Sequence, residues 1–152
     1  MRTSLLFIAL LLLPLTRVHA QAPPEPGDRL IGVWEPSHGK ARVKIEKIGG
    51  KYYGKIVWLR EPNDPATNAP KVDKNNPDEA LRTVPLRGYR LLKDFIYSGN
   101  NEWAEGTIYD PENGSTYSCV IILKDDNTLD IRGFIGVKAL GRTDVWKRLQ
   151  AK

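Results

Sequence analysis

Residues 103–123 read WAEGTIYDPENGSTYSCVIIL, two alternating runs joined by Pro111-Glu112-Asn113-Gly114. A period of two sends successive side chains to opposite faces of a strand. A break led by proline and closed by glycine suits a four-residue hairpin turn. This stretch therefore commits the chain to antiparallel sheet. A four-residue loop sets Ile108 opposite Tyr117, Gly106 opposite Cys119 and Ala104 opposite Ile121, all on one face. Trp103 and Glu105 then point to the other face. A three-residue loop at Glu112-Asn113-Gly114 would shift the register and move Glu105 onto the face of Tyr117; the hydrophobic pattern favours the first arrangement.

The same period runs through most of the chain. Residues 31–35, 41–48 and 52–59 are strand-like, the last two joined by Gly49-Gly50, where positive φ carries no steric cost. Pairing Ile48 with Lys51 sets Ile45 opposite Gly54, Val43 opposite Ile56 and Ala41 opposite Trp58 on one face. The other face carries Arg42, Lys44, Glu46, Tyr53, Lys55 and Val57. A fourth strand is expected within residues 86–95. Beyond the hairpin, a loop at Asp125-Asp126-Asn127 with Asn127 left-handed pairs Leu123 with Leu129, Ile121 with Ile131, Cys119 with Gly133 and Tyr117 with Ile135. Residues 128–135 and 142–149 supply the seventh and eighth strands. Residues 60–83 form a long connection with four prolines, in which Asn76 caps one or two helical turns and Pro77 takes the first position. Such connections often act as lids, and a plain crossing over one end of the fold fits as well. Eight short strands, mostly in up-and-down order, predict an all-β, closed eight-stranded antiparallel barrel; a sandwich of the same strands is the alternative.

Arg2, the apolar run 5–15 and Val18-His19-Ala20 make the three parts of a secretory leader, with cleavage expected after Ala20. The run is short for a bilayer span, and no cysteine follows it to carry a lipid. The expected organisation is a signal peptide over 1–20, a Pro-rich flexible lead-in over 21–29, and a single barrel domain over 30–150. The expected location is the periplasm or the medium, with no membrane span once the leader is gone. Losing Arg2 and Arg17 lowers the net charge from +5 to +3. Basic and acidic residues interleave, as in Lys44-Ile45-Glu46-Lys47, whereas nucleic-acid binding needs a clustered basic stripe; no nucleic-acid partner is expected.

Cys119 is the only cysteine, so no intrachain disulfide can form, and its mid-strand position predicts burial. His38 is the one histidine beyond the leader and sits in the turn-like Pro36-Ser37-His38-Gly39. A Ser-His or Cys-His pair would depend on it, and a zinc site would need at least three good ligands. The segment from Asp73 to Asp78 lacks the sixth-position glycine and twelfth-position glutamate of a calcium loop. Asp110 and Glu112 belong to turn chemistry. No catalytic residue, metal or cofactor is expected. Glu105 could serve as a base but has no evident partner, which leaves an unidentified hydrolase as a minor alternative.

Two features bear on binding. Gly54, Gly106 and Gly133 fall on the inward face, with Cys119 between the last two. Glycines inside strands mark either space for a ligand or the coiling that closes a small barrel. Trp34, Trp58 and Tyr117 are inward aromatics that would line a pocket or fill it. The candidate ligand-binding residues of the interior are therefore Trp34, Gly54, Trp58, Gly106, Tyr117, Cys119 and Gly133.

Gly32-Val33-Trp34 near the start and Arg148 near the end resemble the signature of lipocalin and wider calycin barrels. That resemblance implies that Gly32, Trp34 and Arg148 close one end of the barrel. A fuller set is similar to a bacterial family of small exported proteins, domain of unknown function twenty-one forty-seven. It comprises Ile31-Gly32-Val33-Trp34, Tyr53-Gly54-Lys55-Ile56, Asn76-Pro77-Asp78, the Ile108–Tyr117 run, Arg132-Gly133-Phe134-Ile135-Gly136 and Gly141-Arg142-Thr143 with Trp146 and Arg148. This resemblance implies a signal peptide, an exported location and a lipocalin-like barrel, and it carries over no catalytic residue. The leading expectation is a non-enzymatic cell-envelope protein holding a small apolar or amphipathic ligand in its barrel. The alternative is a protein–protein interaction module of the envelope. It would act without a small ligand, through the 60–83 loop or an outer face bearing Tyr53 and Trp103.

Overall fold

The first strand, β1 (Gly32–Glu35), pairs with two others: β2 (Ala41–Ile48) and β8 (Arg142–Arg148). That double pairing closes the sheet. Between them β3 (Lys51–Leu59), β4 (Arg90–Gly99), β5 (Glu102–Asp110), β6 (Ser115–Asp125) and β7 (Thr128–Phe134) follow in chain order round an eight-stranded antiparallel barrel. The pairs Trp34↔Arg148 and Glu35↔Lys147 exclude the open sandwich. The computed structural model describes residues 24–150, so the leader and its cleavage site lie outside the described residues.

Close to the turns, pairing follows the period of two. Ile48↔Lys51, Ile45↔Gly54 and Val43↔Ile56 hold in one hairpin, and Ile108↔Tyr117 and Gly106↔Cys119 in another. Leu123↔Leu129, Ile121↔Ile131 and Cys119↔Gly133 hold in the third. The β5–β6 turn has the expected four residues, with Gly114 at φ 72° and its N–H donating to the Asp110 carbonyl at 2.8 Å. Asn75 crowds the space where a Gly114 side chain would sit.

Farther from the turns, bulges reverse the phase, two of them beside tryptophans. A bulge adds one residue to a strand, so every side chain beyond it changes face. In β3 the extra residue is Val57: Arg42 pairs with Trp58 although Val43 pairs with Ile56. Leu59, rather than Trp58, then packs against the core, and it pairs with Ala41. In β5, Trp103 pairs with Ile121 and Gly106 with Cys119, so Ala104 and Glu105 together oppose Val120. Glu105 takes φ 62° to do this. The expected Ala104–Ile121 pair is replaced, and Trp103, expected outside, is 0% exposed inside the barrel.

Other departures are local. β4 begins and ends later than expected. Asn127 is not left-handed; a tighter turn pairs Asp125 with Thr128, and Asn127 N–H donates to Asp125 Oδ1 at 2.9 Å. β7 stops at Phe134, so Tyr117 and Ile135 do not pair. The end of the expected flexible lead-in is structured: a 3-10 turn (Pro26–Leu30) plugs one end of the barrel with buried Leu30. In the long connection, Asp78 rather than Asn76 caps the single 3-10 turn (Glu79–Leu81), and Asn76 Oδ1 instead accepts from Asp78 N–H at 2.9 Å.

That connection straps the outer wall. Tyr109 is one residue out of phase with inward Ile108, hence on the outside, yet it is buried. Its hydroxyl donates to the buried Asp73 carboxylate at 2.8 Å, and Asn76 Nδ2 donates to the second Asp73 oxygen at 2.6 Å. Asn75 Nδ2 donates to the carbonyls of Pro111 and Glu112, tying the strap to the β5–β6 turn. Burial and the adjacent Asp73 carboxylate raise the pKa of the Tyr109 hydroxyl above its ordinary value, so the phenol stays a donor.

Candidate functional site

The two ends of the barrel differ. At the end carrying the N-terminal 3-10 turn, Trp34 is fully buried and its Nε1 donates to the Leu30 carbonyl at 2.9 Å. The Arg148 guanidinium lies 4.0 Å from the Trp34 ring centroid. It donates to the carbonyls of Asp126 at 2.6 Å and Ile31 at 2.8 Å, and to that of Arg29. Three carbonyls and an aromatic face thus satisfy one cation. Gly32 leaves the space that the guanidinium occupies. A shallow depression of about 480 Å³ outside this seal is lined by polar groups such as Asp28, Arg29 and Asp126.

The middle of the barrel is filled. Trp103, Phe95, Leu92, Ile121, Leu129 and Trp146 are buried there with Tyr52. Tyr52 and Tyr97 rings lie 6.2 Å and 5.1 Å from that of Trp103. Two of the three inward glycines are close-approach sites. A side chain at Gly106 would collide with the Phe95 ring, and one at Gly54 with Leu92. Both are therefore occupied by neighbours from β4. Cys119, between Gly106 and Gly133, is buried and free, and burial pushes its thiol up to about 12. It is a packed side chain with almost no thiolate near neutral pH.

Gly133 is different. Its nearest neighbours, Ile108 Cγ2 and Tyr117 Cβ, stand 3.5 and 3.6 Å from where a Cβ would be. It borders an open cleft of about 500 Å³ at the end opposite Arg148. Tyr117, Phe134, Ile135 and Leu140 give the cleft apolar and aromatic walls; Asp110, Asn113 and Arg142 give it polar ones. Asp110 is engaged in the turn, accepting from Glu112 N–H and from Asn113 Nδ2, both at 2.9 Å. Asn113 Nδ2 also donates to the Tyr117 hydroxyl at 3.0 Å. Arg142 has no ion-pair partner among the described residues.

The candidates from the sequence therefore separate. Tyr117 and Gly133 come together at the cleft. Gly54, Gly106 and Cys119 lie in the filled wall, and Trp34 belongs to the closed end. Trp58 is not inside: the Val57 bulge turns it outward, where the Arg42 guanidinium sits 4.3 Å from its ring centroid. Tyr53 is on the outer face as expected, with Arg90 4.8 Å from its ring and its hydroxyl donating to Asp94 at 3.0 Å. His38 is an exposed turn residue whose Nδ1 accepts from Lys40 N–H at 2.9 Å, and Glu105 is exposed at its bulge. Ile135, Leu140 and Arg142 are not among the sequence candidates for this cleft: the sequence pattern makes Ile135 the last paired residue of a strand, Leu140 part of a short turn, and Arg142 the start of the last strand. Among the described residues, no three His, Cys, Asp or Glu side chains are grouped to hold a metal ion. No described helix is long and apolar enough to cross a membrane.

A family model described as "Uncharacterized protein conserved in bacteria (DUF2147)" matches residues 32–148, from the first strand of the barrel to the last. The chain belongs to this family. No curated protein matches it. Among solved structures it is similar to one described as "Protein HP1028 from the human pathogen Helicobacter pylori belongs to the lipocalin family". The TM-score is 0.69 at 25% identity, over 80% of this chain and 83% of the other. The family member described here thus has a lipocalin-like barrel, a fold compatible with binding small ligands.

Proposed function

We propose that this family member is a non-enzymatic, exported protein of the cell envelope that binds a small apolar or amphipathic ligand at the open mouth of its barrel. The observation that carries this is the open cleft beside Gly133, where the inner wall lacks a side chain and the nearest neighbours stand only at ordinary contact distance. Ile135, Leu140 and Phe134 offer apolar surface, and Arg142 offers a charge for an anionic head group. Clefts of this size, mostly apolar with a few convergent polar groups, suit small ligands. The lipocalin-like fold is an analogy in the same direction. The filled middle moves the site from the barrel interior to its mouth.

Native mass spectrometry of protein isolated from its own envelope, before and after solvent extraction, tests the proposal. A bound mass that disappears on extraction is expected. Anilinonaphthalene sulfonate, an apolar probe with one negative charge, is expected to bind the extracted protein and to bind more weakly on Gly133→Val, which narrows the cleft at its inner wall. Absence of any bound mass together with probe binding indifferent to Gly133→Val would refute it.

A further inference from the structure

The turn between β7 and β8 carries the most exposed apolar surface of the described chain. Ile135, Val137 and Leu140 are 77%, 59% and 83% exposed, within seven residues that contain no acid (IGVKALG). Their exposure is built into the turn. Arg132 reaches from β7 and donates to the carbonyls of Lys138 at 2.8 Å and Ala139 at 2.9 Å, and to Thr143 Oγ1 at 2.9 Å. A short 3-10 turn (Lys138–Leu140) adds local order. The aliphatic side chains are thus held out by a braced backbone. Water contact with three large aliphatics clustered at one tip is unfavourable, and such clusters mark contact surfaces.

Charge identifies the partner. Arg132 spends three of its five N–H donors on neutral oxygens, and neither it nor Arg142 has a carboxylate within ion-pair distance among the described residues. Lys138 alone is paired, with Glu102 at 3.5 Å. Two unneutralised guanidinium groups flanking exposed aliphatics match a surface that is apolar below and anionic above. A second copy of the chain matches poorly: three side chains fall well short of the roughly 800 Å² per partner typical of a stable complex. We infer that the 135–141 turn is a docking tip for an anionic phospholipid surface, with Ile135, Val137 and Leu140 entering the acyl boundary and Arg132 and Arg142 at the phosphates. Apolar insertion and basic residues near a negative surface add in such binding. The inference stands whether or not the neighbouring cleft holds a ligand.

The test uses the chain from Gln21 onward, which contains the whole closed barrel. It is sedimented with equimolar phosphatidylglycerol–phosphatidylcholine vesicles and with phosphatidylcholine alone. The anionic vesicles are expected to retain it, less so as salt screens the charges. Val137→Asp is expected to weaken retention about tenfold, the effect of placing one charge at an apolar contact. Val137 does not line the cleft, so this variant keeps its probe binding, whereas Gly133→Val weakens probe binding and keeps the vesicles. If Val137→Asp folds poorly by near-ultraviolet circular dichroism, Val137→Cys carrying an environment-sensitive dye replaces it, since buried Cys119 escapes labelling; a blue shift on adding anionic vesicles is expected. No retention by either vesicle, retention equal in wild type and Val137→Asp, or no dye shift would overturn the inference. So would a lipid-free dimer that Val137→Asp dissolves.

Discussion

Trp58 in the β2–β3 hairpin and Trp103 in the β5–β6 hairpin exchange the positions that a strict period of two assigns them. Both hairpins pair as expected near their turns, and both go out of phase at one added residue, Val57 in the first and one of Ala104 and Glu105, which together oppose Val120, in the second. The outcomes are opposite. The first bulge puts a tryptophan outside under Arg42, and the second puts one in the middle of the core. Alternation is thus reliable only from a turn to the nearest bulge, because each pairing inherits its phase from the previous one.

The sharpest way to break this comparison is truncation. Trp103→Ala should cost about 3–5 kcal/mol, the usual range for a buried tryptophan. Trp58→Ala should cost about 1 kcal/mol, mainly its contact with Arg42. Urea unfolding measures both, and equal losses would show the two side chains to be equally buried. The glycines of the same wall give a smaller contrast. Gly106→Ala presses a methyl into Phe95 and should destabilise by about 1–3 kcal/mol. Gly133→Ala meets only ordinary contacts and should stay within about 0.5 kcal/mol of wild type. Reversal of that order would show Gly133 to be the more tightly packed of the two.

The bulge itself can be tuned. Glu105 holds φ 62° without being glycine, and Glu105→Gly should relieve about 1 kcal/mol of backbone strain, offset in part by the freer unfolded chain. Glu105→Val should destabilise, since a β-branched residue resists that φ. A melting temperature lowered by Glu105→Gly would count against the bulge. The smallest effect concerns pH. The Cys119 thiol, pushed from its ordinary 9.0 to about 12 by burial, keeps its proton in the folded state while the unfolded chain releases it. Its contribution is complete below pH 9.0 and is lost as pH rises toward 12. Cys119→Ala should therefore flatten the alkaline fall in stability, a difference visible in urea midpoints between about pH 8 and pH 10.

Much of the architecture was legible because it rests on local chemistry. Pro111 and Gly114 fix one turn and Gly49-Gly50 another, and apolar alternation fixes which face is buried. The sequence hint at the β5 bulge was faint: Glu105 directly before Gly106, on a strand whose tryptophan would otherwise face water. The binding candidates were legible only in part. Gly106 and Gly133 look alike in sequence, yet the Phe95 ring fills the place of a side chain at one, and at the other Ile108 and Tyr117 stand only at ordinary contact distance. Asp73, which resembled an incomplete calcium ligand, is instead the buried acceptor that fastens the long strap to Tyr109.

By itself the sequence determined the antiparallel strands, their order and the registers beside each turn, since those depend on neighbours close in the chain. The tertiary structure alone decided the exchange of Trp58 and Trp103, and that Gly133, unlike Gly54 and Gly106, has no neighbouring side chain pressed into its place. These depend on which distant side chains arrive to fill the same volume, and a barrel packs its interior from all eight strands at once.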